Sequence, residues 1–342
     1  MSSPSPQLVG IVTPVYNGGK YLAECIESVL AQTYLHWQYD IIDNRSTDDS
    51  LRVAERYAKQ DSRIRIHVNA RHVGRNANHN LAFAKLPPGV NYCKVVHADD
   101  WLYPECLSKM VAVMQNNSSV GIVGAYALAN DKVVSDGLAY PGTVTSGREI
   151  GRRTLLGGPY VFGSPTSLLF RAEIVRRRPQ FFNEDNPHAD KEACFEVLRN
   201  ADFGFVHQVL TFMRLHAGAA SVAAEASGTF WLSDLEILQK YGPDYLSREE
   251  FQRVFTWQWK KYYTSMAKMV LLNRASAIWA YHDATLRRLG HTLSKGQLAV
   301  AILKECVEIG LNPVGAMRRF VRVVGASSGR QIEGEDLALY RR

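Results

Sequence analysis

The stretch KVVHADDWLYP, residues 94–104, ends an apolar run on two adjacent carboxylates, Asp99 and Asp100. The apolar run reads as a buried strand, and aspartate is common where strands end because its side chain can bond the following backbone. A turn does not need both carboxylates, and adjacent acids repel unless positive charge lies between or beyond them. A divalent cation held by hard oxygen ligands resolves the conflict. The stretch is therefore either a plain strand-end turn or a metal site, and its surroundings decide.

Upstream, short apolar runs alternate with amphipathic stretches, the pattern of a mostly parallel sheet flanked by helices in an α/β fold. LVGIVTP (8–14) reads as a buried first strand, and Tyr21, Leu22, Cys25, Ile26 and Val29 recur at helical spacing. WQYDIID (37–43) is the second strand, and STDDSLRVAERYAK (46–59) a helix capped near Ser46 or Thr47. RIRIHV (63–68) alternates as a strand with Ile64, Ile66 and Val68 on one face, residues 76–86 form a helix, and YCKVVHA (92–98) delivers the two acids. Pro104 opens the helix that follows, at a first-turn position where proline is tolerated. From about 127 to 165 the pattern loosens into loops and short strands. An apolar run resumes at 166, with a helix around 189–200 and a strand near 204–213. Beyond about 225 the chain reads as helical, so a sheet-based domain over 1–222 precedes a helical region over 223–342 with a polar tail.

Bulk properties narrow the function. The chain has 342 residues and 46% apolar content, enough for one large domain plus an appendage. No window reaches the roughly 18 uninterrupted apolar residues of a membrane span. MSSPSPQLVG lacks a basic region followed by an apolar core, so no signal peptide is expected. The five cysteines are scattered without a CxxC pair, which favours reduced thiols, a cytoplasmic location and no zinc framework. The net charge of +7 is uneven: residues 251–342 hold 15 Lys/Arg against 6 Asp/Glu, and residues 1–250 hold 25 against 27. A basic face interleaved with aromatics on the folded domain, the footprint of nucleic-acid binding, is therefore not expected.

In open parallel sheets ligands bind beyond the carboxyl ends of the strands. Three such ends are distinctive: TPVYNGG (13–19), IIDNRSTDD (41–49) and HADD (97–100). No GxGxxG follows the first strand and no GxxxxGK[ST] occurs, which removes the main support for a dinucleotide or Walker-type site.

These blocks, with HVGRNANHNLAFAK (72–85), GSPTSLLFRAEIV (163–175), FFNEDNPHADKEACFEVL (181–198) and LTFMRLHAGAAS (210–221), resemble glycosyltransferase family 2 in order and spacing over roughly residues 8–221. The resemblance implies a GT-A (Rossmann-like) fold with a nucleotide-sugar half over about 1–126 and an acceptor half over about 127–222. It also implies an inverting enzyme that moves a sugar from a nucleoside-diphosphate sugar, UDP by default, to an acceptor hydroxyl, with Mn2+ or Mg2+ neutralising the diphosphate. By position Asp100 is the metal ligand and Asp99 a ribose or metal-side contact, with His216 of Arg-x-His a further metal or diphosphate group. His97 stands where the family commonly has an acid and reads equally as a packed histidine or a ligand. Asp43 and Asn44 would hold base and ribose; the family usually has two aspartates there, and an amide offers donors that a carboxylate lacks. Thr13, Pro14 and Tyr16 belong to the loop that stacks a side chain on the base, and Arg75 and Asn78 lie near the nucleotide, arginine suiting a phosphate by charge. Asp190, opening a helix, is the expected general base, with Glu184, Asp185 and Glu192 as fallbacks. Ser164 and Thr166 would line the acceptor side.

The acceptor is expected to be a saccharide or lipid-linked saccharide of bacterial surface polysaccharide or glycolipid assembly. WQWKKYY (257–263) and MRRFVRVV (317–324) mix cations with apolar residues. They suit either peripheral contact with the inner face of the membrane or a helical subdomain that forms a homodimer. A non-catalytic GT-A scaffold is the alternative, kept open by the altered His97, Asn44 and Ala189. A nucleotidyltransferase is more distant, since its glycine-rich basic opening loop is not matched by TPVYNGGK.

Overall fold

A computed structural model describes residues 7–216, 224, 227–272 and 276–311. The chain divides into two compact units, residues 1–214 and 215–342. The boundary expected near 222 lies outside the described residues, as does the basic stretch 317–324.

The first unit is built on one mixed sheet. Strands β1 (Val9–Val15), β2 (Trp37–Asp43), β3 (Ile64–Val68) and β4 (Tyr92–Val95) are joined by helices α1 (Gly19–Leu30), α2 (Ser50–Ala58) and α3 (Arg75–Ala84). All four strands run parallel, in spatial order β3-β2-β1-β4. Parallel strands covered by helices on both faces are continuously apolar, and β1 obeys this with six of its seven residues buried. After β5 (Trp101–Leu102) and α4 (Cys106–Asn116) comes β6 (Val120–Ala129). β9 (Leu168–Arg171) enters antiparallel between β4 and β6, and β10 (Asp202–Met213) pairs parallel with β6 and antiparallel with β5. Short strands β7 (Lys132–Val134) and β8 (Val144–Thr145) pair with β6 and β10. Between them and β10 lie α5 (Gly147–Leu155), α6 (Ala172–Arg176) and α7 (Ala189–Leu198).

The order 3-2-1-4 reverses direction at β1. The crevice where such a sheet reverses, outside the strand ends, is where open α/β sheets bind ligands. TPVYNGG leaves the end of β1 and HADD the end of β4, which pairs with it.

Ile64, Ile66 and Val68 alternate along β3 as expected, with burial falling along the strand until Val68 is half exposed. Several expectations need correction. α2 starts at Ser50 instead of Ser46 or Thr47, because Ser46 and Thr47 are taken by the β1 loop: the Asn17 N–H donates to Ser46 Oγ and the Thr47 N–H to Asn17 Oδ1. Pro104 precedes α4, which begins at Cys106. The region read as loops holds the nine-residue α5, whose Ser146 hydroxyl accepts the Glu149 N–H; Ser-x-x-Glu is a capping signature readable in the sequence. The long strand β6 ends inside the same region, at Ala129.

The second unit is helical over its described residues: α8 (Thr229–Tyr245), α9 (Arg248–Leu271), α10 (Ser276–Arg288) and α11 (Lys295–Leu311). Ser247 and Glu250 close a capping box at the start of α9. Its core gathers Leu232, Leu235, Tyr262, Met266, Met269 and Leu286, so the tyrosine pair of WQWKKYY packs inward. Among the described residues no helix is long and apolar enough to cross a membrane.

Candidate active site

Asp100 sits in a tight turn after β4, its N–H donating to the His97 carbonyl at 3.0 Å. One carboxylate oxygen accepts the Thr166 hydroxyl at 2.7 Å and the other the Arg214 N–H at 3.0 Å. The Thr166 hydroxyl also accepts the His97 N–H at 3.1 Å. Thr166 is held by a 3-10 turn (Pro165–Ser167) whose Thr166 carbonyl takes the Lys94 ammonium at 2.6 Å, with the Leu168 carbonyl at 3.1 Å. Lys94 is fully buried on β4, so it ties the acid-bearing strand to the turn that aims Asp100. Thr166 was expected on the acceptor side; being fully buried, it supports Asp100 instead. The Arg214 guanidinium donates to the Asp99 carbonyl at 3.2 Å and to Glu24 at 2.7 Å, with its carbon 4.4 Å above the Tyr21 ring.

Burial, with the neighbouring charge of Asp99, pushes the Asp100 carboxyl up to about 7. Ligand atoms of His97, Asp99 and Asp100 lie within 4.8 Å of one another. A buried carboxylate lacking a full counter-charge, beside a second acid and an imidazole, fits a divalent cation. His97 Nδ1 lies 3.7 Å from the Asp100 carboxylate, while its Nε2 lies 3.1 Å from Nε2 of His79. His79 is buried on α3, and burial pushes its imidazole down to about 3.

Several charged groups bear on His97. Burial lowers its basicity, Asp99 raises it, Arg75 lowers it and Asp190 raises it. Residues from the β4 turn, the start of α3 and the start of α7 thus act on one imidazole. Asp190 lies in the first turn of α7, half-buried, and among the described residues its carboxylate takes part in no hydrogen bond or ion pair. The fallback acids differ. Glu192 is buried and accepts from the amides of Asn183 and Asn186, and Glu184 accepts from Asn80. Asp185 is exposed. Arg75 donates to the Pro187 carbonyl, tying α3 to the segment that leads into α7.

On the β1 and β2 side, Tyr16 is 51% exposed and its ring centroid lies 4.3 Å from that of His72, a residue the sequence reading did not single out. Pro14 is partly buried at the end of β1. Thr13, expected as a nucleotide contact, turns its side chain into the core: it is fully buried, and its hydroxyl donates to the Val96 carbonyl at 2.7 Å and is 2.8 Å from the Tyr39 hydroxyl. Asp43 is buried and accepts the Ser46 N–H at 3.1 Å. Asn44 is absorbed by the 69–73 loop. Its amide donates to the Val73 carbonyl at 2.8 Å, while its oxygen accepts the Val73 N–H and the Asn69 amide, each at 3.0 Å. Asn69 also donates to Asn78, which is buried. The departure from a second aspartate therefore has a local reason: only an amide both donates and accepts. Replacing Asn44 with Asp sets a carboxylate against the Val73 carbonyl, at a cost of about 1–3 kcal/mol. In this variant the Val73 amide is expected to exchange with solvent at least tenfold faster by hydrogen-exchange mass spectrometry. His216 lies in the second unit, two residues after Arg214, and is partly buried.

Comparison with known proteins gives this arrangement a lineage. Residues 10–178 match the family model described as Glycosyl transferase family 2. The glycosyltransferase GlyG of Streptococcus pneumoniae serotype 4 is 30% identical over 122 residues, 35% of this chain and 39% of that protein. The match thus spans about two-fifths of that relative's length. Staphylococcus aureus TarS (residues 1–349), solved with UDP-GlcNAc, superposes with a TM-score of 0.62 at 16% identity, covering 82% of this chain and 79% of that one. The mannosyltransferase PcManGT of Pyrobaculum calidifontis, solved with GDP-Man and Mn2+, gives 0.57 at 14% identity, covering 94% and 85%. At these identities the two structures speak to the fold, which is GT-A.

Proposed function

The chain belongs to glycosyltransferase family 2, and from that premise we propose that it is a metal-dependent, inverting transferase. It would carry a sugar from a nucleoside-diphosphate donor to an acceptor hydroxyl. The observation that carries this reading is the cluster of His97, Asp99 and Asp100, whose ligand atoms lie within 4.8 Å of one another in the turn after β4, at the ends of parallel strands.

The roles follow from the chemistry each group can perform. Asp99, Asp100 and His97 would hold the divalent cation. Bound there, the cation supplies positive charge against the diphosphate that leaves. Tyr16, with Pro14 beside it, offers a face for the base, and Asp43 its carboxylate for base or ribose. Asn44 and Asn78 shape the adjoining loop, and Arg75 presents charge toward the diphosphate. Asp190 accepts the proton of the acceptor hydroxyl as that oxygen bonds to the anomeric carbon and the bond to the diphosphate breaks. The acceptor in this reading is a saccharide or lipid-linked saccharide, with the donor half over about 1–126 and the acceptor half over about 127–222. A cytoplasmic enzyme working at the inner face of the membrane, or paired through the helices of the second unit, completes the reading.

A single displacement inverts the anomeric centre. With a cognate donor, Mn2+ and acceptor, proton NMR of the fresh product is expected to show the configuration opposite to that of the donor sugar. Retention would rule out a single displacement with Asp190 as base.

A further inference from the structure

His79 points to a property of the metal site that the acidic motif alone does not carry. His79 Nδ1 lies 2.9 Å from the Arg75 carbonyl, one helical turn back on α3. A carbonyl only accepts, so Nδ1 carries the proton and donates. A neutral imidazole has one proton, which leaves Nε2 of His79 as a bare acceptor. His97 Nε2 is 3.1 Å from that acceptor, so it is the donor of the pair. The two rings meet nearly edge-to-face at 89°, with Phe182 packed 5.3 Å from His79 on another side. His97 therefore keeps its proton on Nε2 and turns Nδ1 toward Asp100.

We propose that His79 is a positioning residue that fixes the tautomer of His97, so that His97 Nδ1 ligates the cation and the site prefers Mn2+ to Mg2+. The inference rests on the reading of His97, Asp99 and Asp100 as a metal site. Metal-bound histidines characteristically donate their other N–H to an acceptor that sets ring orientation and basicity. Here that acceptor is a second histidine, itself anchored to a backbone carbonyl. Mg2+ strongly prefers oxygen ligands in a near-ideal octahedron, whereas a transition ion accepts an imidazole nitrogen readily. The histidine in place of an acid is thus a selectivity device instead of a lost ligand.

The test uses the full chain and the metals alone. Long-range proton–nitrogen NMR of the metal-free wild type reads the tautomers directly: His97 is expected as Nε2–H and His79 as Nδ1–H. Mn2+ binding by electron paramagnetic resonance, with Mg2+ as competitor, then compares wild type, His97→Asp and His79→Leu. His97→Asp is expected to bind both ions and to lose the preference for Mn2+ by about tenfold or more. His79→Leu is expected to weaken Mn2+ by about 10- to 100-fold, the usual effect of removing an outer hydrogen-bond partner, with Mg2+ changed far less. An Nδ1–H tautomer at His97, or an unchanged Mn2+/Mg2+ ratio in His97→Asp, overturns the proposal while leaving a metal site intact. Failure of the wild type to bind either ion would overturn the metal reading beneath it.

Discussion

Replacing Asp190 with Asn is expected to lower kcat for sugar transfer by about a thousandfold, inside the 10²–10⁴ range typical of a general base, while nucleotide affinity stays within a few-fold of wild type. Asparagine preserves the shape and removes the proton acceptor. The fold should barely register the change, because among the described residues the Asp190 carboxylate holds no hydrogen bond or ion pair that would be lost. Glu192→Gln provides the contrast. Glu192 accepts from two asparagine amides in the segment leading into α7, so its neutral variant should lower the melting temperature and act on rate only through that segment. Steady-state kinetics beside thermal melts of both variants separate the roles. Transfer by Asp190→Asn within tenfold of wild type would mean that another group takes the proton.

Asp100→Asn is expected to act in opposite directions on binding and stability. Metal-dependent nucleotide binding should weaken at least a hundredfold, since the variant loses a buried anionic ligand. The metal-free protein should nevertheless become more stable near pH 8. The Asp100 carboxyl moves from 3.8 to about 7 on folding, so between those values the folded chain keeps a proton that the unfolded chain releases. Stability therefore falls as pH rises through that window, and the loss is complete above pH 7. At about 1.4 kcal/mol per pKa unit, the full effect is about 4 kcal/mol. Removing the charge removes the loss. Melts of metal-free wild type and variant should diverge at pH 8 and converge near pH 4, and added Mn2+ should stabilise only the wild type. Parallel pH profiles for the two proteins would show that Asp100 is not the strained charge.

Much of the first unit was legible because its signals are local. Short runs such as VGIVTPV and WQYDIID, bounded by turn residues and rich in β-branched and aromatic side chains, read as buried strands, and the acids following YCKVV stand at a strand end in sequence as in space. What the sequence hid was relational. Thr166 reads as an acceptor-side hydroxyl until β9 inserts between β4 and β6 and carries the 3-10 turn beneath Asp100. Lys94, a cation inside a strand, becomes intelligible once the Thr166 carbonyl of that turn and the Leu168 carbonyl at the start of β9 converge on it. Thr13 belongs to a loop motif by position, yet alternation on β1 points its hydroxyl into the core. Asn44 looks like a changed nucleotide contact and turns out to clasp a loop 25 to 29 residues further along. The pairing of His79 with His97, 18 residues apart on a helix and a turn, has no signature in spacing at all. Only α5 had a readable mark, its Ser-x-x-Glu cap, inside a stretch whose glycines suggested loops.

The most direct test of the metal and nucleotide site is calorimetric titration of UDP, GDP, dTDP and CDP into the wild type, with and without Mn2+, repeated on Asp100→Asn. The expected result is tight binding of one nucleotide that requires Mn2+ and disappears in the variant. Folded wild-type protein that binds none of the four, with or without the metal, would contradict the account and leave a GT-A scaffold without transferase chemistry.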